Sequence, residues 1–307
     1  MGLKVGLLGT GYWARETQGA ALAAHPEIDF AGVWGRNAER TRALADRYGV
    51  AAYADSDALF GDVDAVAVAL PPDIQAEAAL RAARAGCHLL LEKPVAFSTE
   101  ASGAVAAEAE RRGLASVVFF TMRFSPRIDA FLRESAAVGG WDGARASMLM
   151  PALTTDSPFA QSPWRRERGG LWDIGPHALS VLLPVMGPVA EVTAVAGPRR
   201  TTHLLLGHRG GAVSSLALTL EAPPEGMHRE FVFFGENGAV PLPDAGQEPA
   251  EAFGAAIDRL LHGVRTGEAE EPCGVGFGHE VVAVLEAAQA ALERRATVAV
   301  EAAGSGA

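Results

Sequence analysis

The chain has 307 residues, two cysteines and a formal net charge of −11, with 49% hydrophobic and 21% charged residues. Such a length favours two domains, and the acidic balance, with arginines only in short stretches mixed with acids, argues against nucleic acid as a partner. Cys87 and Cys273 stand alone, without a CxxC or a Cys/His cluster, so neither a disulfide framework nor a metal site is expected.

Short apolar runs lie at Leu3–Leu8, Asp29–Trp34, Ala65–Leu70, His88–Leu91 and Ser116–Thr121. Between them Arg15–His25, Glu39–Tyr48, Ile74–Ala85 and Thr99–Arg112 carry apolar residues at helical spacing. Parallel strands need crossover helices, so this alternation predicts a doubly wound parallel sheet. The run Ala-Val-Ala-Val-Ala-Leu is apolar throughout, as a strand covered on both faces should be. After about residue 140 the rhythm changes to consecutive β-rich segments at 144–150, 189–197, 201–207, 212–221 and 229–234. They predict a mostly antiparallel sheet, with one helix over Leu171–Met186. Helices follow at Ala250–Thr266 and Val275–Arg295, then a short strand at Thr297–Val300. The fold class is therefore α/β, an N-terminal Rossmann domain over 1–121 followed by an α+β domain over 122–301. The tail 302–307, small and polar, is expected to be disordered. No segment approaches the roughly 18 uninterrupted apolar residues of a membrane helix, and the apolar N-terminal stretch is short for a signal sequence. A cytoplasmic protein without membrane contact is expected.

Leu3–Leu8 runs into Gly9-Thr10-Gly11-Tyr12-Trp13-Ala14 and then a helical stretch. Gly9 permits a tight turn, Gly11 lets backbone approach a pyrophosphate, and Ala14 suits close packing of helix on strand. The helix N-terminus offers N–H groups to phosphate. In this strand-to-helix setting the motif points to a dinucleotide. Where a carboxylate would hold a ribose 2′-hydroxyl, the chain reads Trp34-Gly35-Arg36-Asn37, with Arg40 one turn on. Arg36 offers a fork that matches a 2′-phosphate, so NADP(H) is the expected cofactor and NAD(H) the alternative.

Leu91-Glu92-Lys93-Pro94-Val95, together with that glycine turn and the later Gly169-Gly170-Leu171-Trp172-Asp173-Ile174-Gly175-Pro176-His177, resembles the glucose–fructose oxidoreductase / inositol dehydrogenase / rhizopine-catabolism (Gfo/Idh/MocA) oxidoreductase family. Further similarity lies in Val68-Ala69-Leu70-Pro71-Pro72, Ala85-Gly86-Cys87-His88, Met122-Arg123-Phe124-Ser125-Pro126 and the helix at 281–291. The resemblance implies a large open sheet in the second domain, often the oligomer interface, and hence a homodimer or homotetramer. It implies Lys93, Asp173 and His177 as catalytic residues. It places Leu70, Pro71, Pro72, Glu92, Lys93 and Arg123 at the cofactor beside the glycine-turn residues, and Trp164 and Arg165 at the substrate. A cis Lys93–Pro94 bond is frequent in such proteins. Two departures are Gln75, where many relatives have His, and Thr121, which replaces a frequent Asn.

The residues themselves agree with this chemistry. Asp173 and His177, four apart in a helical stretch, share a face, and Pro176 is compatible with a first helical turn. Histidine suits proton transfer near neutral pH, and Lys93 sits at the carboxyl end of a central strand, where such sheets place ligands. These residues suit reversible hydride transfer at a carbon bearing a hydroxyl or carbonyl, with either Lys93 or His177 as proton donor, and the resemblance implies a sugar, cyclitol or related polyol as the substrate. A reductase of sugar-nucleotide ketones or other small carbonyls is the alternative within enzymes. A dinucleotide-sensing regulator is the alternative outside them.

Overall fold

The computed structural model describes residues 2–268 and 271–301. The chain divides into two compact units, one of Met1–Phe124 with Gly246–His279, the other of Ser125–Ala245 with Glu280–Ala307. The expected disordered tail at 302–307 lies outside the described residues.

In the first unit six strands pair in parallel: β1 (Leu3–Leu8), β2 (Ile28–Trp34), β3 (Ala51–Tyr53), β4 (Ala65–Val68), β5 (His88–Leu91) and β6 (Ser116–Val118). Their order is β3-β2-β1-β4-β5-β6. The chain winds outward from β1 in one direction and then from β4 in the other. The switch point between β1 and β4 is where such sheets leave a crevice at their carboxyl ends. All four residues of β4 are fully buried, as its unbroken apolar run predicts. Strand β3 and the helix Ser56–Asp62 fill a stretch that the sequence reading leaves unassigned.

The unit boundary differs from the expected break at residue 121. The helix Pro249–Thr266, assigned by sequence to the second domain, belongs to the first unit. Its Ala252, Phe253, Ala256, Ile257 and Leu260 are all buried, and it packs on β5, β6 and the helix Gly19–Ala24. Phe253 meets Phe119 edge-on at 4.9 Å. His25 joins Asp258 at 3.0 Å, and Arg265 pairs with Glu27. An amphipathic helix goes where its apolar face is buried, and here that place is the sheet that precedes it by more than a hundred residues.

The second unit holds a seven-stranded sheet: β7 (Trp141–Leu149), β8 (Val189–Ala196), β9 (Thr202–His208), β10 (Val213–Thr219), β11 (His228–Gly235), β12 (Gly238–Pro241) and β13 (Val298–Ala299), in the order β12-β11-β7-β10-β9-β8-β13. Every pairing is antiparallel except β7 with β10, which is parallel. The segment between β7 and β8 leaves the sheet through helices, and the meander β8–β9–β10 returns to lie along β7 in the same direction. Leu204, Leu206, Leu216, Leu218, Phe231 and Phe233 bury one face of the sheet. Val195, Leu205, Val213 and Phe234 stand exposed on the other.

The single helix expected over 171–186 is two helices, Pro163–Asp173 and Gly175–Met186. The first is broken at Gly169, whose φ of 65° and ψ of −159° no side-chain-bearing residue adopts easily. The helix Pro126–Val138 is a further element that the sequence reading does not assign. Helix Val275–Arg294 is long and apolar enough to cross a membrane by length and composition alone, although His279, Glu280, Glu286 and Gln289 interrupt its apolar run. Its Val281, Val282, Leu285, Ala288 and Ala291 are fully buried, so that apolarity is spent on the protein interior.

Candidate functional site

Gly9 closes β1 with a φ of 122°, and its N–H donates to the Trp34 carbonyl at 2.8 Å. A Cβ at this position would lie 2.4 Å from the Ala69 carbonyl oxygen, so only glycine lets the turn pass under β4. At Gly11 the missing Cβ faces open space, which leaves backbone bare at the mouth of the turn. The Arg15 N–H to Gly11 carbonyl bond, 3.0 Å, opens the helical stretch directly after the turn. Ala14 is fully buried against the sheet, and a π-helical turn spans Ala14–Gln18 before the helix Gly19–Ala24. Such turns are frequent at functional sites.

Beside this turn lies a cleft of about 350 Å³ lined by Thr10, Gly11, Tyr12, Arg15, Arg40, Ala43 and Leu44. Asn37 caps the helix Ala38–Tyr48 by accepting the Arg40 N–H at 2.9 Å, which presents that helix start at the end of β2. Arg36 is exposed there, and the Gly35 carbonyl accepts the Thr41 hydroxyl at 3.1 Å. An open glycine backbone, a helix N-terminus and an arginine-lined cleft together fit a dinucleotide. Arg15 and Thr10 belong to this cleft without having been singled out by sequence.

The carboxyl end of β5 is fixed by two glutamines. Gln75, fully buried, donates to the Glu92 carbonyl at 2.6 Å and the Pro94 carbonyl at 3.0 Å, and accepts the Glu92 N–H at 2.9 Å. The Lys93–Pro94 bond is cis. Gln18 donates to the Glu92 carboxylate at 2.8 Å. Burial pushes the Glu92 carboxyl above its ordinary range, against the opposing pull of the Lys93 charge and of hydrogen bonds from Gln18 and Trp13. Trp13 also lies 6.5 Å from Phe119. Pro71 and Pro72 start the helix that carries Gln75, directly after Leu70. Arg123 is buried, with its guanidinium 5.8 Å from the Phe277 ring and its carbonyl accepting from Arg259. No motif in the local sequence singles out Gln18, and Gln75 stands out there only as a departure from its relatives. Their one signal is an amide on a helix face otherwise made of small apolar residues.

In the second unit Asp173 ends one helix and His177 lies in the first turn of the next, so the expected single shared helix face is replaced by a helix junction at Ile174. Pro176 falls in that first turn, where it displaces no hydrogen bond. The Asp173 carboxylate meets the Arg165 guanidinium at 3.1 Å, with side chains only 10% and 19% exposed. Arg165 in turn packs over the rings of Trp164 and Phe159, at 4.4 and 4.6 Å from their centroids. The structure thus joins Trp164 and Arg165 to Asp173. Among the described residues no cluster of three His, Cys, Asp or Glu side chains could hold a metal ion.

Two family models match the chain: the oxidoreductase family with NAD-binding Rossmann fold over residues 3–120, and the GFO/IDH/MocA C-terminal domain over 132–240. A dTDP-3,4-didehydro-2,6-dideoxy-alpha-D-glucose 3-reductase of Streptomyces violaceoruber is 31% identical over 69% of this chain, a match that spans 65% of the reductase. D-xylose 1-dehydrogenase (NADP(+)) 2 of Haloferax volcanii is 25% identical over 86% of this chain and 89% of its own length. The solved structure of UDP-N-acetylglucosamine 3-dehydrogenase from Acidithiobacillus ferrooxidans shares the fold, with a TM-score of 0.80 at 24% identity over 96% of this chain and 99% of that one. Glycine turn, cis-proline loop and mixed second sheet converge with these matches: the chain belongs to the GFO/IDH/MocA oxidoreductase family and carries its NAD-binding Rossmann domain.

Proposed function

We propose that the chain exchanges a hydride between NADP(H) and a carbon bearing a hydroxyl or carbonyl group on a sugar, cyclitol or related polyol. The observation that carries this reading is the glycine turn, open over Gly11 and flanked by a cleft that Arg15 and Arg40 line. When bound, a nicotinamide dinucleotide supplies the carbon that gives or takes the hydride. Gly9 and Gly11 admit its pyrophosphate, while Gly35, Arg36, Asn37 and Arg40 take the ribose end. Residues 34–38 include no carboxylate to repel a 2′-phosphate. The NADP(+) in the name of the Haloferax relative agrees with that preference.

For the proton, His177 exchanges with the substrate hydroxyl, and Lys93 polarises the same oxygen or itself gives the proton. Asp173, held by Arg165, is a fixed carboxylate that orients His177 and accepts from a second hydroxyl. The Streptomyces relative favours a second reading of the substrate, a sugar-nucleotide ketone that is reduced. A dinucleotide sensor has no need of Lys93, Asp173 and His177 together, which speaks for catalysis. The exposed sheet face with Val195, Leu205, Val213 and Phe234 is proposed to bind a second copy, a state that sedimentation velocity measures directly.

Paired fluorescence titrations with NADPH and NADH test the cofactor. Tighter NADPH binding, weakened roughly tenfold or more in Arg36→Ala, is the expected result. Equal or tighter NADH binding overturns the role of Arg36 and leaves the Rossmann site standing. Turnover is then screened with D-xylose, myo-inositol and UDP-N-acetylglucosamine as probes.

A further inference from the structure

We propose that Arg200 is a positioning residue for Asp173, acting through the helical turn that carries Arg165. The proposal rests on the reading of Asp173 as part of the catalytic set.

Arg200 sits in the loop between β8 and β9, Gly197-Pro198-Arg199-Arg200-Thr201. Arg199 and Arg200 are consecutive left-handed residues, with φ of 52° and 49°. Gly or Asn takes that conformation far more cheaply, because a Cβ crowds the following carbonyl. Two arginines there imply that something about them offsets the strain. For Arg199 it is the backbone, whose carbonyl accepts the Thr219 hydroxyl at 2.7 Å and so ties the loop to the end of β10. For Arg200 it is the side chain. Its guanidinium donates to the carbonyls of Arg166 and Glu167, the latter at 2.6 Å. Those carbonyls end the helical turn just ahead of the break at Gly169, where they lose helical partners. A Cβ at Gly169 would lie 3.7 Å from Arg200 Nη2, so the bare backbone of the break faces the guanidinium. Gly170 is packed on Leu218 and Thr219, with a would-be Cβ only 3.0 Å from their backbone.

The consequence is a clamp with two fixed points. Gly170 seats Asp173 on the end of β10, and Arg200 holds the preceding turn, with Arg165, to the same corner of the sheet. Without Arg200 the turn 163–168 is free to swing about Gly169, and the Arg165 guanidinium leaves the carboxylate. Glu221, 3.8 Å from Arg200, keeps the clamp charge-balanced.

The matched pair Arg199→Gly and Arg200→Gly separates side chain from strain, since both relieve a left-handed residue at neighbouring positions of one loop. Hydrogen exchange of peptides spanning 163–173 is the readout that needs no substrate. Arg200→Gly is expected to speed it roughly tenfold or more, and Arg199→Gly to leave it unchanged. Turnover with the best of D-xylose, myo-inositol and UDP-N-acetylglucosamine is expected to fall roughly ten- to a hundredfold in kcat for Arg200→Gly, with NADPH affinity unchanged. Arg165→Ala combined with Arg200→Gly is expected to be no worse than Arg165→Ala alone. Equal behaviour of the two glycine variants, or additive losses in the double variant, overturns the proposal. Asp173→Asn run in parallel distinguishes the underlying reading: if it turns over normally, the catalytic assignment of Asp173 fails, whatever exchange shows for Arg200.

Discussion

The two units build their functional residues in opposite ways. In the first, backbone is the working part. The turn at Gly9 and Gly11 functions by the absence of side chains, and the Glu92–Pro94 loop is held by the Gln75 amide on backbone groups. In the second, charged side chains do the placing: Asp173 is held by Arg165, and the turn bearing Arg165 by Arg200. A parallel sheet brings strand ends to one edge, so main-chain groups converge there without help. A broken helix resting on a mixed sheet has no such convergence, and arginine side chains supply it.

This contrast can be broken first at Gly9. Gly9→Ala would force a Cβ to 2.4 Å from the Ala69 carbonyl in a left-handed backbone, and is expected to cost about 3 kcal/mol or more and to abolish dinucleotide binding. Thermal unfolding and NADPH titration measure the two losses. Gln75→Leu keeps the helix but strands a buried N–H and two carbonyls, and is expected to cost about 2–3 kcal/mol in urea unfolding. Arg165→Ala should cost less, about 1–2 kcal/mol, because the pair retains some exposure that screens it. An Arg165 effect larger than that of Gly9 would reverse the comparison.

The smallest expected effect concerns pH. Glu92 has its pKa raised in the folded state, chiefly by burial, so ionising it costs stability. The folded protein then binds more protons than the unfolded chain between the two values, and stability falls as pH rises through that window. Below about pH 4, where both states are protonated, the cost is absent. Glu92→Gln is expected to flatten this slope, gaining Tm on the parent as pH rises toward neutrality. An unchanged slope would remove Glu92 as its source.

The contrast also explains what could be read in advance. β1, β2 and β4 announce themselves as apolar runs, and the glycine turn follows directly in the chain, so local sequence carries it. β3, only Ala-Ala-Tyr, has little β-forming character, and its pairing with β2 is what makes it a strand. The break at Gly169, four residues ahead of Asp173, is hidden because Gly169-Gly170 sits inside a helical pattern, and a glycine there is read as tolerated. Gln75 and Arg200 escaped for a shared reason. Their partners are 17 and 33 residues away in sequence, and no spacing rule reaches that far. The same limit misplaced Pro249–Thr266, whose apolar face is legible but whose docking surface is not.

That helix bears on how the protein is born. The first unit is written in two pieces, and the second piece begins only at Gly246. During synthesis all six strands of the parallel sheet are made more than a hundred residues before Phe253, which covers Phe119. Until about two hundred and fifty residues have left the ribosome, that apolar surface has only provisional cover, and chaperones have a window in which to hold it. A fragment cut after residue 124 would keep the dinucleotide turn yet lack its own lid, so a minimal Rossmann domain from this chain has to be spliced to Gly246–His279 rather than truncated.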